Sequence, residues 1–212
     1  MSALDDVRDQ LAAIEPSGGF ATRRTNVAGD LHLHVTGIGR IPFPISRSNA
    51  RRLAAIARPA RYGLKDQTRF DRRVRDTGEI AKSLVTIDES RWTRTLTPML
   101  EHVRRDLGLP DGVQLTAALH NLLVYEPGQF FASHQDSEKT DDMLGTLVVI
   151  LPAEFRGGAM VIEHHDARVT CRGARRQLTF VAFYADCHHE VRPVTSGHRI
   201  VLTYNLIATS RR

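Results

Sequence analysis

Apolar residues recur at helical spacing in three stretches of the chain, the period of a helix with one buried face. Leu4, Val7, Leu11 and Ile14 mark the first, over residues 2–15. Ser2 is its cap, Asp5 and Asp6 suit its first turn, and Pro16 with Gly18 and Gly19 ends it. Leu53 and Ile56 mark the second, capped by Ser46 or Ser48 and stopped at Pro59. Trp92, Leu96, Leu100, Val103 and Leu107 mark the third, which ends near Gly108 and Pro110. Between the first two, Leu31, Leu33 and Val35 alternate with His32 and His34 and predict a strand with one wet face. Residues 61–78 show no clear apolar period and read as polar and loop-rich.

After Asp111 and Gly112 the texture changes. Short apolar runs at 115–125, 147–151, 160–162, 178–184 and 200–206 follow one another. Turn residues separate them at Pro127-Gly128, Gly157-Gly158 and Ser196-Gly197. This is the pattern of a β sandwich or barrel. The expected fold class is α+β with a mainly β core. Residues 1–114 form a helical and strand support integrated with a core over 115–207, as one compact unit. No internal repeat, low-complexity tract or flexible linker interrupts it.

The 212 residues are 42% hydrophobic and 25% charged, an ordinary globular balance that excludes disorder. No apolar run approaches ~18 residues, so no membrane partner is expected. The N-terminus is acidic and amphipathic, unlike a secretion signal. Two cysteines, Cys171 and Cys187, can form neither a disulfide framework nor a four-thiolate zinc site. A reduced, cytoplasmic setting fits. The net charge of +5, carried by 26 Arg and 3 Lys, invites a nucleic-acid partner. Residues 46–76 hold ten basic and three acidic side chains, more than the whole excess. A nonspecific binder using that segment would weaken steeply with salt. Solvated charges scattered by an arginine-favouring genome are the plainer reading. The segment could also steer an acidic substrate through Arg72 and Arg73.

The histidines are more informative. In YEPGQFFASHQD, residues 125–136, His134 and Asp136 stand two apart on an extended segment and so point the same way. A third ligand must come from elsewhere, and His189 is the candidate. Two neutral imidazoles and one carboxylate form the facial triad of non-haem Fe(II) oxygenases, with three positions left open. Such sites need a cation for the distal carboxylate of 2-oxoglutarate. Arg199, ten residues on at a strand start, offers a planar fork, and Thr203 shares its face with a hydroxyl. A second triplet, His164-His165-Asp166, lies only 25 residues before His189, where a surface hairpin is expected. His134 lies 55 residues before it, which leaves room for several strands.

Three segments in order, YEPGQFFASHQDSEKTDDMLGTLVVILP, FRGGAMVIEHH and FVAFYADCHHEVRPVTSGHRIVLTYNL, resemble the Fe(II)- and 2-oxoglutarate-dependent dioxygenases in their prolyl 4-hydroxylase-like branch. They fall within residues 119–207. Val74-Arg75-Asp76-Thr77 and the helix after Trp92 resemble the amino-terminal part of a microbial and fungal subgroup. The resemblance implies a double-stranded β-helix, or jelly roll, with N-terminal supporting helices. It implies iron at His134, Asp136 and His189, 2-oxoglutarate on Arg199, and Tyr125 lining the cosubstrate pocket. Fe(II), 2-oxoglutarate and O2 are then the expected cofactors, with ascorbate a candidate reductant. The implied reaction hydroxylates a peptidyl or amino-acid side chain, with release of succinate and CO2. Small metabolites stay in range as substrates. One departure is Leu147-Val148-Val149-Ile150-Leu151, where some animal prolyl hydroxylases carry a cosubstrate-binding tyrosine; the nearest hydroxyl is Thr146.

Two rivals remain at this stage. One is a jelly roll that senses 2-oxoglutarate or binds a partner without turnover; the complete set of site residues argues against it. The other is a nucleic-acid-modifying dioxygenase. Val201 and Ile207 stand where that branch carries Asn and a second Arg, so nucleic acid is disfavoured. Of the remaining residues, His188 should face away from the site and His198 should lie in solvent. His32, His34, His102 and His120 read as surface or half-buried, and Cys187 as packing. Phe130, Phe131, Phe180 and Phe183 read as core. Asp141 and Asp142 read as a solvated loop, and Glu138 and Lys139 as bordering the substrate mouth.

Overall fold

In the computed structural model, the described residues are 18–27, 31–64, 67–69, 71–136 and 142–210. The first predicted helix, Glu138, Lys139 and Asp141 lie outside them. The first half of the chain runs β1 (Ala21–Val27), β2 (His34–Val35), β3 (Gly39–Arg40), helix α1 (Arg47–Ile56), β4 (Arg58–Pro59), β5 (Tyr62–Leu64) and β6 (Gln67–Arg69). It continues with β7 (Arg75–Asp76), β8 (Gly78–Ala81), a short 3-10 turn, β9 (Val85–Thr86) and helix α2 (Glu89–Asp106). The second half is β throughout: β10 (Val113–Tyr125), β11 (Phe130–His134), β12 (Met143–Ile150), β13 (Phe155–Gly157) and β14 (Met160–His164). The last strands are β15 (Ala167–Cys171), β16 (Gln177–Tyr184), β17 (His188–Val191), β18 (Val194–Gly197) and β19 (Arg199–Ser210).

Two antiparallel sheets face each other as a jelly roll. The larger has the order β1-β16-β12-β19-β10-β8-β4, and the smaller β15-β14-β17-β11-β7. The central strands β12 and β16 of the large sheet are almost continuously apolar because both of their faces are buried. Leu122, Val124, Leu147, Val149, Phe180, Ala182, Ile200, Leu202 and Tyr204 pack outward against α2, through Trp92, Leu96, Leu100 and Val103. Leu123, Tyr125, Val148, Ile150, Val181, Phe183 and Val201 face inward and meet Phe131, Met160, Ile162 and Val191 of the small sheet. Leu202 is fully buried in the outer layer. Leu202→Ala should therefore cost about 2–5 kcal/mol in urea unfolding, through lost burial and a cavity under α2.

Helix α1 begins at one of the two caps that the sequence offers, and α2 begins at Glu89, three residues before the first apolar position that marks it. The Ser46 hydroxyl, not Ser48, accepts from the Asn49 N–H, and the chain straightens at Ala57, before Pro59. Asp88 caps α2 by accepting from the Arg91 N–H at 2.9 Å. The Tyr184 hydroxyl donates to the Leu107 carbonyl at 2.7 Å and ties the end of α2 to β16.

Two expectations need correction. The strand predicted around residues 31–35 shrinks to His34–Val35, because His32 takes a left-handed φ of 51° that no ladder accommodates. Leu31, Leu33 and Val35 are still buried, as their alternation requires. Residues 61–78 are not mainly loop. They hold the β5–β6 pair, β7 and the start of β8. Such two- to four-residue strands are set by their partners and need no apolar period of their own. Thr77, for example, is buried and donates to the Val124 carbonyl on β10 at 2.9 Å.

Candidate metal and cosubstrate site

Antiparallel pairing of β11 with β17 sets His134 directly across from His189. An irregularity between Phe131 and His134 shifts the register there. Just beyond the end of β11 the chain brings Asp136 to the same point. One ligand atom from each of the three residues falls within 4.8 Å of the others. His134 Nε2 lies 3.8 Å from one Asp136 oxygen and His189 Nε2 lies 3.7 Å from the other. Gln135, between the first two, donates to the Asp186 carbonyl at 2.6 Å and holds the two segments together.

The ring orientations are fixed from behind. His134 Nδ1 donates to the Ala132 carbonyl at 2.9 Å, and His189 Nδ1 sits 3.4 Å from the Cys187 carbonyl. A carbonyl can only accept, so each Nδ1 carries the proton and each Nε2 turns a lone pair toward Asp136. Burial, with His189 as a neighbour, pushes His134 down to about 3. Burial likewise pushes His189 down. Both rings are therefore neutral donors at physiological pH. Burial works against the Asp136 carboxylate, but His189, the Thr146 hydroxyl and His134 outweigh it and hold the group below its ordinary value. The Thr146 hydroxyl donates to Asp136 Oδ2 at 2.5 Å. Two neutral imidazoles and an ionised carboxylate, converging with no salt partner of their own, suit a divalent transition metal.

Phe131, expected only as core, stacks on His134 with 3.5 Å between ring centroids, and Phe183 lies 4.6 Å from His189. Both residues are buried. They wall the site on two sides and keep water out. Neither this role nor that of Thr146 follows from sequence spacing, since each depends on strands meeting in space. His188 is exposed, as its place beside buried His189 requires. His164 belongs to the β14–β15 hairpin, 3.2 Å from Asp186, with His165 in its turn. His198, expected in solvent, is half-buried with Nε2 3.8 Å from Glu126.

Arg199 is 1% exposed at the start of β19. Its guanidinium lies 5.1 Å from the ring of Tyr125, its partner across β10. Its Nε and Nη2 have no hydrogen-bond partner. Burial pushes its pKa down, yet a guanidinium does not give up its proton in a protein. A buried cation of this kind, with at least two of its nitrogens unbonded, lacks an anion, and a carboxylate fits its fork. The side chain also needs Gly158, where a Cβ would come within 2.8 Å of Arg199 Cδ. Thr203 faces inward with Arg199 and donates to Asn121 Oδ1. A cavity of about 680 Å³ is lined by His134, Asp136, Phe131, Thr146, Asn121 and Thr203, among others. Arg199 and Tyr125 do not line it; both are enclosed between the sheets.

Residues 120–207 match the family model of the 2OG-Fe(II) oxygenase superfamily. The matched stretch contains His134, Asp136 and His189, whose ligand atoms converge, and also Arg199. Among solved structures, a Pseudomonas putida prolyl-4-hydroxylase is 19% identical over 100% of both chains, with a TM-score of 0.54. The viral collagen prolyl hydroxylase of Paramecium Bursaria Chlorella virus-1 is 17% identical, covering 92% of this chain and 99% of its own, with a TM-score of 0.48. A 2OG-Fe(II) oxygenase-family oxidoreductase from Burkholderia pseudomallei is 18% identical over 78% of each chain, with a TM-score of 0.43. The likeness to the first is one of fold. No curated protein matches the chain significantly. Among the described residues, no helix is long and apolar enough to cross a membrane, and both cysteines are free and buried.

Proposed function

We propose that this chain is an Fe(II)- and 2-oxoglutarate-dependent oxygenase that hydroxylates a peptidyl or amino-acid side chain, in the manner of the prolyl hydroxylases, with His134, Asp136 and His189 as its metal ligands. The observation that carries the reading is the convergence of both Nε2 atoms on the Asp136 carboxylate. Bound there, Fe(II) with 2-oxoglutarate and O2 would supply the oxidising power: the keto acid would lose CO2 and take up one atom of O2 to become succinate, and the other oxygen atom would enter a substrate C–H bond. The chain supplies the rest. His134 and His189 donate through Nε2, and their carbonyl partners stop the rings from turning. Arg199 receives the distal carboxylate of the keto acid, beside Tyr125. Phe131 and Phe183 exclude water from the reacting face. Thr203 adds a hydroxyl to the inward face that it shares with Arg199.

Thr146 acts through Asp136 and is a positioning residue. Thr146→Val should lower Fe(II) affinity by about 10–100-fold, measured by metal titration under argon, with the fold unchanged by circular dichroism. The reaction is tested by a succinate-coupled screen of peptides and amino acids, with mass spectrometry for a product heavier by one oxygen atom. Succinate release without any oxygenated product across the whole screen would overturn the assignment of a peptidyl or amino-acid substrate.

A further inference from the structure

The cavity lined by His134 and Asp136 has a cationic wall that neither the metal ligands nor Arg199 requires. Arg58, Arg61 and Arg75 line it, and Glu79 is the one acidic residue beside Asp136 among its described lining residues. Arg75 is only 9% exposed. Its Nη1 donates to the Arg61 carbonyl at 2.5 Å, while its Nε meets no partner. The guanidinium lies 4.5 Å over the Phe131 ring, which itself stacks on His134. Its charge is felt at His134, Asp136 and His189 alike. Arg58 and Arg61 are exposed and have no ion-pair partner among the described residues.

The neighbouring arginines behave differently. Arg72 pairs with Asp76 at 3.2 Å and Arg73 with Asp71 at 2.9 Å, so the doublet singled out by charge density is neutralised locally. Arg58, Arg61 and Arg75 have no acidic partner among the described residues, and all three line the cavity. A mostly buried guanidinium with a free donor is costly unless an anion meets it, and its fork favours a carboxylate. Arg199, by contrast, is enclosed between the sheets and does not line this cavity.

We propose that Arg75, flanked by Arg61 and Arg58, binds a carboxylate of the substrate, and that the substrate class is an acidic peptide: one with an Asp or Glu side chain, or a free C-terminus, near the hydroxylated residue. This rests on the reading of the site as a peptidyl or amino-acid hydroxylase.

The test uses the full chain and synthetic peptide pools randomised around a fixed centre. One pool carries Asp and Glu and its match carries Asn and Gln, each with a free or an amidated C-terminus. Retention is read by capture and mass spectrometry, and succinate release with Fe(II) and 2-oxoglutarate is followed separately. The acidic or free-carboxyl pools should be retained about tenfold over the neutral amidated pool. Which of the two prevails identifies the source of the carboxylate. The excess should vanish in R58Q/R61Q, whose exposed sites tolerate the change, and in R75Q, but persist in R72Q. Equal retention of all pools would overturn the proposal. So would an excess that survives R58Q/R61Q and R75Q, or one that 2-oxoglutarate competes away, which would assign the wall to the cosubstrate. Absent succinate release with the acidic excess intact would instead sink the hydroxylase reading and leave the carboxylate site standing.

Discussion

Asp136→Ala and His134→Ala should each lower succinate release from 2-oxoglutarate by on the order of 10³-fold or more, about 4 kcal/mol in barrier. The reason is the donor set. Asp136 is the one anionic member, and without it two neutral rings must hold a divalent cation with no charge compensation. Without His134 the geometry opens and Phe131 loses the ring it stacks on. Neither variant should unfold the protein, because both side chains stand at the cavity and outside the two apolar clusters. Metal titration should show lost Fe(II) binding with an unchanged urea midpoint. Ordinary turnover in both variants would remove these residues from the metal site.

Arg199→Leu should move two quantities in opposite directions. The ligand-free wild type holds a buried guanidinium with Nε and Nη2 unbonded. Replacing it by an apolar side chain of smaller volume relieves that desolvation and should stabilise the ligand-free protein, by about 1–4 kcal/mol. The same change removes the partner of the cosubstrate's distal carboxylate. Affinity for 2-oxoglutarate should fall on the order of 10²-fold or more. A thermal melt and a 2-oxoglutarate titration of the same sample read both effects. A variant that melts higher and keeps its 2-oxoglutarate affinity would show that Arg199 is not the anchor. One that melts lower would mean that the guanidinium contributes more through packing on Tyr125 than it costs by being buried.

What was legible in the sequence was whatever a two-residue period can carry. Alternation puts His134 and Asp136 on one side, and it separates buried His189 from exposed His188. The apolar runs of β10, β12, β16 and β19 announce a sheet covered on both faces. In the sequence Thr146 is only the nearest hydroxyl to an absent tyrosine; its bond to Asp136 needs β12 to arrive beside β11's end, which no local pattern encodes. Phe131 reads as core because it is core, and its second face became visible only with the His134 ring against it. Arg72 and Arg73, which carry the steering expectation, pair with Asp76 and Asp71 instead. Arg75 is the one that enters the cavity, since β7 joins the edge of the small sheet and carries it there. β1, rich in Arg and Thr, was missed because an edge strand with an exposed face needs little apolar content.

The jelly roll divides this site between its two halves. His134 and His189 belong to the small sheet, whereas Arg199, Tyr125, Thr203 and Thr146 belong to the large one. The distance between the proposed metal ligands and the proposed cosubstrate anchor is thus not a property of any loop but the thickness of the sandwich itself. Phe183, Val201 and Ile162 act as spacers in that gap, and a change of one methylene among them would be felt as a change in catalytic reach as well as in packing.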